Sequence, residues 1–204
     1  QRLASGACDT ALAVGVNGAD PSYLSIGFSQ LQALSPTGRS RPFAAGADGL
    51  VVGEGAAAVC IRRLEDAEAD GQRVLAVIRG VGWSNDGKKG NLLAPDPAGQ
   101  LRALRQAWDR SGLSPERLGY VECHATGTSV GDPLEVQGLC QLLGDSQPRS
   151  PIALSSSKAW IGHTVTAAGI AGLIRAVAAV RDGIRPGVLG VENAIDIDDR
   201  FTLL

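Results

Sequence analysis

The chain has no methionine, only two histidines, and aromatic residues at just 4% of its 204 positions. Starting at Gln1 without a methionine, it reads as a piece of a longer protein, and Asp198 to Leu204 reads as the start of a strand that stops short. An excess of either charge is missing too: 19 Lys and Arg stand against 21 Asp and Glu, and no basic run accumulates. That excludes the electrostatic footprint of a nucleic-acid binder and a patch for anionic membranes. No apolar stretch is long enough to cross a bilayer, and no segment has the charged start and apolar middle of a signal peptide, so a cytoplasmic location is the default expectation. Cys8, Cys60, Cys123 and Cys140 are irregularly spaced with no Cys-x-x-Cys pair, which excludes a zinc knuckle and leaves no metal site to expect. Cys60 in Ala56-Ala-Ala-Val-Cys-Ile61 and Cys140 on an apolar helix face are expected to behave as small hydrophobes.

What is present is a globular composition, 44% hydrophobic with 27 glycines, in which strand-like and helix-like stretches alternate. This pattern predicts an α/β fold. Asp9 to Val16, Gly53 to Arg62 and Val74 to Val81 read as strands. Asp96-Pro97 predicts a helix to about Ser111, with the aspartate as cap and proline in the first turn. Asp132-Pro-Leu-Glu135 starts a second helix in the same manner, with Glu135 placed as in a capping box. A small-residue helix follows His163 to about Asp182. Gly82-Trp-Ser-Asn-Asp-Gly-Lys88-Lys89 nearly spells a P-loop. It fails because Lys89 replaces the hydroxyl residue and Gly90 to Pro95 does not suit a phosphate-binding helix, so a surface loop is expected.

Both histidines lie in polar segments next to small residues, Tyr120-Val-Glu-Cys-His124-Ala-Thr-Gly-Thr128 and Ser155-Ser-Ser-Lys158-Ala-Trp-Ile-Gly-His163. Two neutral imidazoles converging on one carbonyl oxygen can donate N–H groups to the charge of an enolate or tetrahedral intermediate. Lys158 supplies a positive charge that disfavours imidazolium and can orient a ring. The hydroxyls of Thr126 and Thr128 suit either the amides of an extended substrate arm or the backbone of their own turn.

These segments, with Gly131-Asp-Pro-Leu-Glu135, Ala167-Ala-Gly169, Leu34-Ser-Pro-Thr-Gly-Arg39, Phe43 and Gly53-Glu-Gly55, resemble the β-ketoacyl synthase domains of modular polyketide synthases and fatty-acid synthases over essentially the whole chain. The resemblance implies a thiolase-like fold, layered α-β-α-β-α and usually homodimeric. It also implies decarboxylative Claisen condensation of an acyl thioester with a malonyl-type extender. His124 and His163 match the family's catalytic histidines, Lys158 matches the lysine that supports the first, and Thr126 and Thr128 match the hydroxyls that contact pantetheine. The implied partner is acyl carrier protein, whose phosphopantetheine arm carries the substrate, and no cofactor bound by the chain itself is implied.

The family's Ala-Cys-Ser-Ser nucleophile phrase is absent, and Cys8 aligns with an ordinary strand position. Residues 1–204 therefore read as a partial ketosynthase domain, the end of the N-terminal half plus most of the C-terminal half, with the missing half as a further partner. Ala125 stands where glycine is usual, Ala159 and Trp160 replace a small polar pair, and Cys123 replaces alanine. Two classes fit: part of an active ketosynthase, or a non-catalytic protein that works by association with another chain; the intact His124, Lys158 and His163 favour the first. On this reading the 204-residue chain incubated with an acyl thioester gains no acyl adduct in intact-mass measurement. A stoichiometric, hydroxylamine-labile adduct on Cys8 or Cys123 would overturn the alignment.

Overall fold

The computed structural model describes residues 2–18, 21–87 and 96–204. Its first sheet is an antiparallel ribbon of β1 (Thr10–Asn17) and β2 (Gly55–Arg62), in register from Thr10 opposite Arg62 to Asn17 opposite Gly55. Between these strands lies α1 (Pro21–Gln30), and α2 (Leu64–Ala69) follows them. The second sheet is parallel, in the order β3 (Tyr120–Glu122), β4 (Ile152–Ser155), β5 (Phe201–Leu203). All four residues of β4 are fully buried, as expected of a central parallel strand covered on both faces.

Helix α3 (Pro97–Ser111) has its start and stop set by local signals. The Asp96 carboxylate accepts the Ala98 amide at 3.2 Å, Pro97 occupies the first turn, and Gly112 ends the helix with φ 65°. It packs beside α4 (Gly131–Leu143), whose Val136, Leu139 and Leu143 meet Ile152, Leu154, Phe201 and Phe43 in the core. The short α5 (Lys158–Ile161) and the long α6 (Ala168–Asp182) follow β4. Helix α6 contacts both β3 and the ribbon, so the layers run ribbon, α6, parallel sheet, then α4 with α3. The chain needs glycine at position 15, where a Cβ would lie 2.8 Å from the Thr166 carbonyl oxygen. Among the described residues no helix is long and apolar enough to cross a membrane.

Three expectations need correction. Val74 to Val81 is not a strand: a strand exists only through a ladder, and no described segment pairs with this one. It runs extended against α3, with Gly80 and Gly82 close to the carbonyl oxygens of Ala107 and Ala103, while Val77, Ile78 and Val81 stay exposed. Cys60 is exposed rather than buried, because it sits on the outer face of the ribbon; Cys140 is half-buried as a small hydrophobe beside the core. Asp132 does not cap α4, whose N-cap is Val130 with no side-chain bond. The P-loop-like stretch is an exposed loop over 83–87, and Lys88, Lys89 and residues 90–95 lie outside the described residues.

The outer face of the ribbon carries Leu12, Val14 and Val16 at 71%, 61% and 58% exposure, opposite Cys60, Ala58 and Ala56. A contiguous apolar face of this kind drives association. The 204-residue chain should therefore self-associate in sedimentation across a concentration series. A sharp, concentration-independent monomer would show that this face is stable in water.

Candidate functional site

The ends of β3 and β4 point the same way, so the loops after them open at one edge of the sheet, where parallel sheets place ligands. Cys123 extends the ladder by donating its amide to the Ser155 carbonyl at 2.7 Å. From there the chain turns through 124–128, and every amide in that turn finds a carboxylate near the start of α4. Glu135 accepts from the amides of His124 and Ala125 at 2.7 and 2.8 Å. Asp132 accepts from Thr126, Gly127 and Thr128 at 3.1, 3.2 and 3.3 Å, and from Phe43 at 2.9 Å. Burial pushes both carboxyls up from the ordinary carboxylate range, and the donated amides pull them back. Gly127, at φ 76°, brings its backbone against Arg41 and Gly49, where a Cβ would stand 3.2 Å from each.

His163 is held by another part of the chain. Its amide donates to the Val51 carbonyl at 2.7 Å, and its carbonyl accepts from the Gly53 amide at 3.0 Å. The approach requires glycine at 53, since a Cβ would fall 2.1 Å from the Ile161 oxygen. Val165 adopts φ 45°, strained for a β-branched residue, and in that conformation its amide donates to His163 Nδ1 at 3.1 Å. An acceptor Nδ1 carries no proton, so the neutral ring is protonated at Nε2. The His124 and His163 rings meet edge to face, with centroids 5.3 Å apart and planes at 83°. The Phe28 ring lies 6.5 Å from His163.

Lys158, 4% exposed, begins α5 directly after β4. Burial lowers its pKa, and the charges of Glu135 and Glu122 oppose the fall. His124 keeps an exposed surface, yet desolvation of its ring by the surrounding protein also lowers its pKa, with Lys158 adding to the effect. For His163, burial, then His124, then Lys158 bring the pKa down to about 4. Both imidazoles are therefore neutral at pH 7. Cys123 is buried, and burial raises its thiol well above the ordinary range, so it is a packing residue and a poor nucleophile. A cavity of about 450 Å³ opens beside His124 and Lys158, walled by α3, α4 and α6. Among the described residues no cluster of His, Cys, Asp and Glu could hold a metal ion.

Comparison with known proteins places this geometry in a family. Residues 75–192 match the family described as beta-ketoacyl synthase, C-terminal domain, and residues 1–67 match its N-terminal domain. The chain belongs to the β-ketoacyl synthase family. This ketosynthase chain is 48% identical over 187 residues to a phenolphthiocerol/phthiocerol polyketide synthase of Mycobacterium tuberculosis, covering 91% of the chain and 10% of that protein. It superposes with TM-score 0.89 and 37% identity on the oxazolomycin ketosynthase domain OzmH KS7 of Streptomyces albus JA3453, covering 95% of the chain and 35% of that structure. A ketosynthase from module 6 of the bacillaene synthase of Bacillus subtilis 168 matches with TM-score 0.88 and 34% identity, over 100% of the chain and 36% of that structure. The fold is thus the thiolase-like fold of ketosynthase domains. The ketosynthase chain spans about a tenth of the polyketide synthase and about a third of each solved domain.

Of the residues singled out in the sequence, His124 and His163 meet, with Lys158 acting on both through its charge. Thr126 is buried in the same turn, and the Thr128 hydroxyl accepts the Gly131 amide at 3.1 Å, the turn-backbone use allowed above. The spacing of Asp132 and Glu135 suggests helix-start residues, whereas in the fold they hold the histidine loop. The available signal was a pair of acids following a run of small residues whose amides need acceptors.

Asp132→Ala should lower the unfolding free energy of the complete domain by more than about 3 kcal/mol, since it leaves four amides without their acceptor at about 1–3 kcal/mol each. Urea titration checks this. Nitrogen NMR of the imidazoles should show His163 protonated at Nε2 and titrating near pH 4. Because that value lies below the ordinary 6.5, stability is fully present above pH 6.5 and falls as pH drops towards 4, the unfolded chain taking up the proton first. Titration of His163 near 6.5 would refute the burial argument.

Proposed function

We propose that the chain carries the decarboxylation site of a β-ketoacyl-[acyl carrier protein] synthase that performs decarboxylative Claisen condensation in polyketide assembly. The observation that carries this reading is the edge-to-face pair of neutral imidazoles, one with its Nδ1 occupied by an amide, beside a buried ammonium. In the reaction the bond between the extender's α-carbon and its carboxylate breaks and carbon dioxide leaves. The released electron pair becomes an enolate whose thioester oxygen accepts from His163 Nε2–H and from His124. The α-carbon then attacks the carbonyl carbon of the acyl group on the nucleophilic cysteine of the complete domain, the acyl–sulfur bond breaks, and the cysteine leaves as its thiolate. Burial, with the charge of Lys158 adding to it, keeps both rings neutral, and that charge favours the enolate.

Residues 1–204 would be the end of the N-terminal half and most of the C-terminal half of that domain, which acts as a cytoplasmic homodimer. The partner is acyl carrier protein; its phosphopantetheine arm passes Thr126 and Thr128, and the chain itself binds no cofactor. The known relatives that carry the matching stretch include polyketide synthases, which supports the pathway assignment. In the complete domain, His124→Ala or His163→Ala should slow malonyl decarboxylation by roughly 10²–10³-fold, the scale for loss of one oxyanion donor, with self-acylation less affected. Decarboxylation at the wild-type rate in either variant would sink the assignment.

A further inference from the structure

One buried charge near the site has no part in the chemistry just described. Glu122, at the end of β3, has a side chain 8% exposed and joins three elements. One carboxylate oxygen accepts the Ser157 amide at 2.5 Å, at the residue immediately before Lys158. The other accepts from the Tyr120 hydroxyl and from Arg175 of α6 at 3.3 Å. Arg175 also donates to the Gly187 carbonyl, the same oxygen that takes the Ser155 hydroxyl at 2.6 Å. Helix α6 leaves room for this at Gly172, where a Cβ would stand 3.2 Å from Glu122 Cγ.

From this geometry we infer that Glu122 and Arg175 are a positioning pair for Lys158: the carboxylate clamps the backbone from which the lysine rises, and the guanidinium holds the carboxylate in that orientation. The inference rests on the decarboxylation reading above. It requires the pair to act on Lys158 in two ways. Geometrically, releasing the Ser157 amide frees the first turn of α5. Electrostatically, Lys158 is faced by Glu122 and Cys123 from β3 and its loop, by Asp132 and Glu135 from α4, and by His124 and His163, and Glu122 is one of the charges that sustain its proton.

The two members of the pair have opposite charges, so their removal has opposite signs. In the complete domain, E122Q keeps an oxygen for the Ser157 amide but loses the charge, so Lys158 releases its proton more easily. The alkaline limb of malonyl decarboxylation should move to lower pH. R175M leaves the Glu122 charge uncompensated and should move that limb to higher pH. Both should lower the decarboxylation rate at neutral pH, by roughly 10–10²-fold, the scale on which small displacements of a reacting group act. R175K, which keeps the charge, should recover most of the loss. Two folded variants with the alkaline limb unmoved, or both limbs moved the same way, would overturn the proposal; if E122Q does not fold, R175M and R175K decide it alone. H163A is run in parallel: if it retains full decarboxylation, the reading of the site fails rather than the positioning role.

Discussion

Satisfaction of buried backbone amides by the two acids of α4 is the constraint on which the rest of the site depends. The turn at 124–128 presents consecutive N–H groups, those of Ala125, Thr126 and Gly127 within buried residues, and a buried amide left without a partner would cost free energy. Asp132 and Glu135 answer all of them, and Asp132 also takes the Phe43 amide from a distant loop. The direction of His124 is therefore set by hydrogen bonds to its backbone, leaving its ring available for chemistry. The hydroxyl of Ser156, donating to the Ala125 carbonyl at 2.9 Å, fixes the other side of the same turn.

Around that frame the charges balance in a particular way. Burial lowers the pKa of Lys158, the charges of Glu135 and Glu122 oppose that fall, and the field of the ammonium reaches the imidazoles. The rings are thereby neutral through burial and one nearby cation, and among the described residues no carboxylate is paired to them. A carboxylate hydrogen-bonded to an imidazole would raise its pKa and make it a base; here the arrangement favours donors of N–H to a developing anion.

The parts legible in the sequence were those whose signals are local. Asp96, Pro97 and Gly112 bracket α3 because a cap, a fixed φ and a left-handed closure act within one turn. The histidine segments were legible because small polar residues flank them. Val74 to Val81 was not, since its residues favour a strand while strand status depends on a partner elsewhere. Asp132 and Glu135 have capping-box spacing, yet the amides they serve lie upstream in 124–128, and only the fold brings the two stretches together. The Val165 amide was hidden for another reason: nothing in a valine announces φ 45°.

The two imidazoles also belong to different parts of the framework. His124 rides on the parallel sheet through Cys123 and Ser155. His163 is stitched to the ribbon side, through Val51 and Gly53, with Asn17 of β1 donating to the Gly53 carbonyl at 2.8 Å and the Thr166 hydroxyl donating to Val16. The spacing between the rings is consequently a gauge of how the two sheets are seated on α6. Changes to the small residues at that seat, Gly15 above all, would be felt as a change in ring separation, well away from any residue that meets substrate.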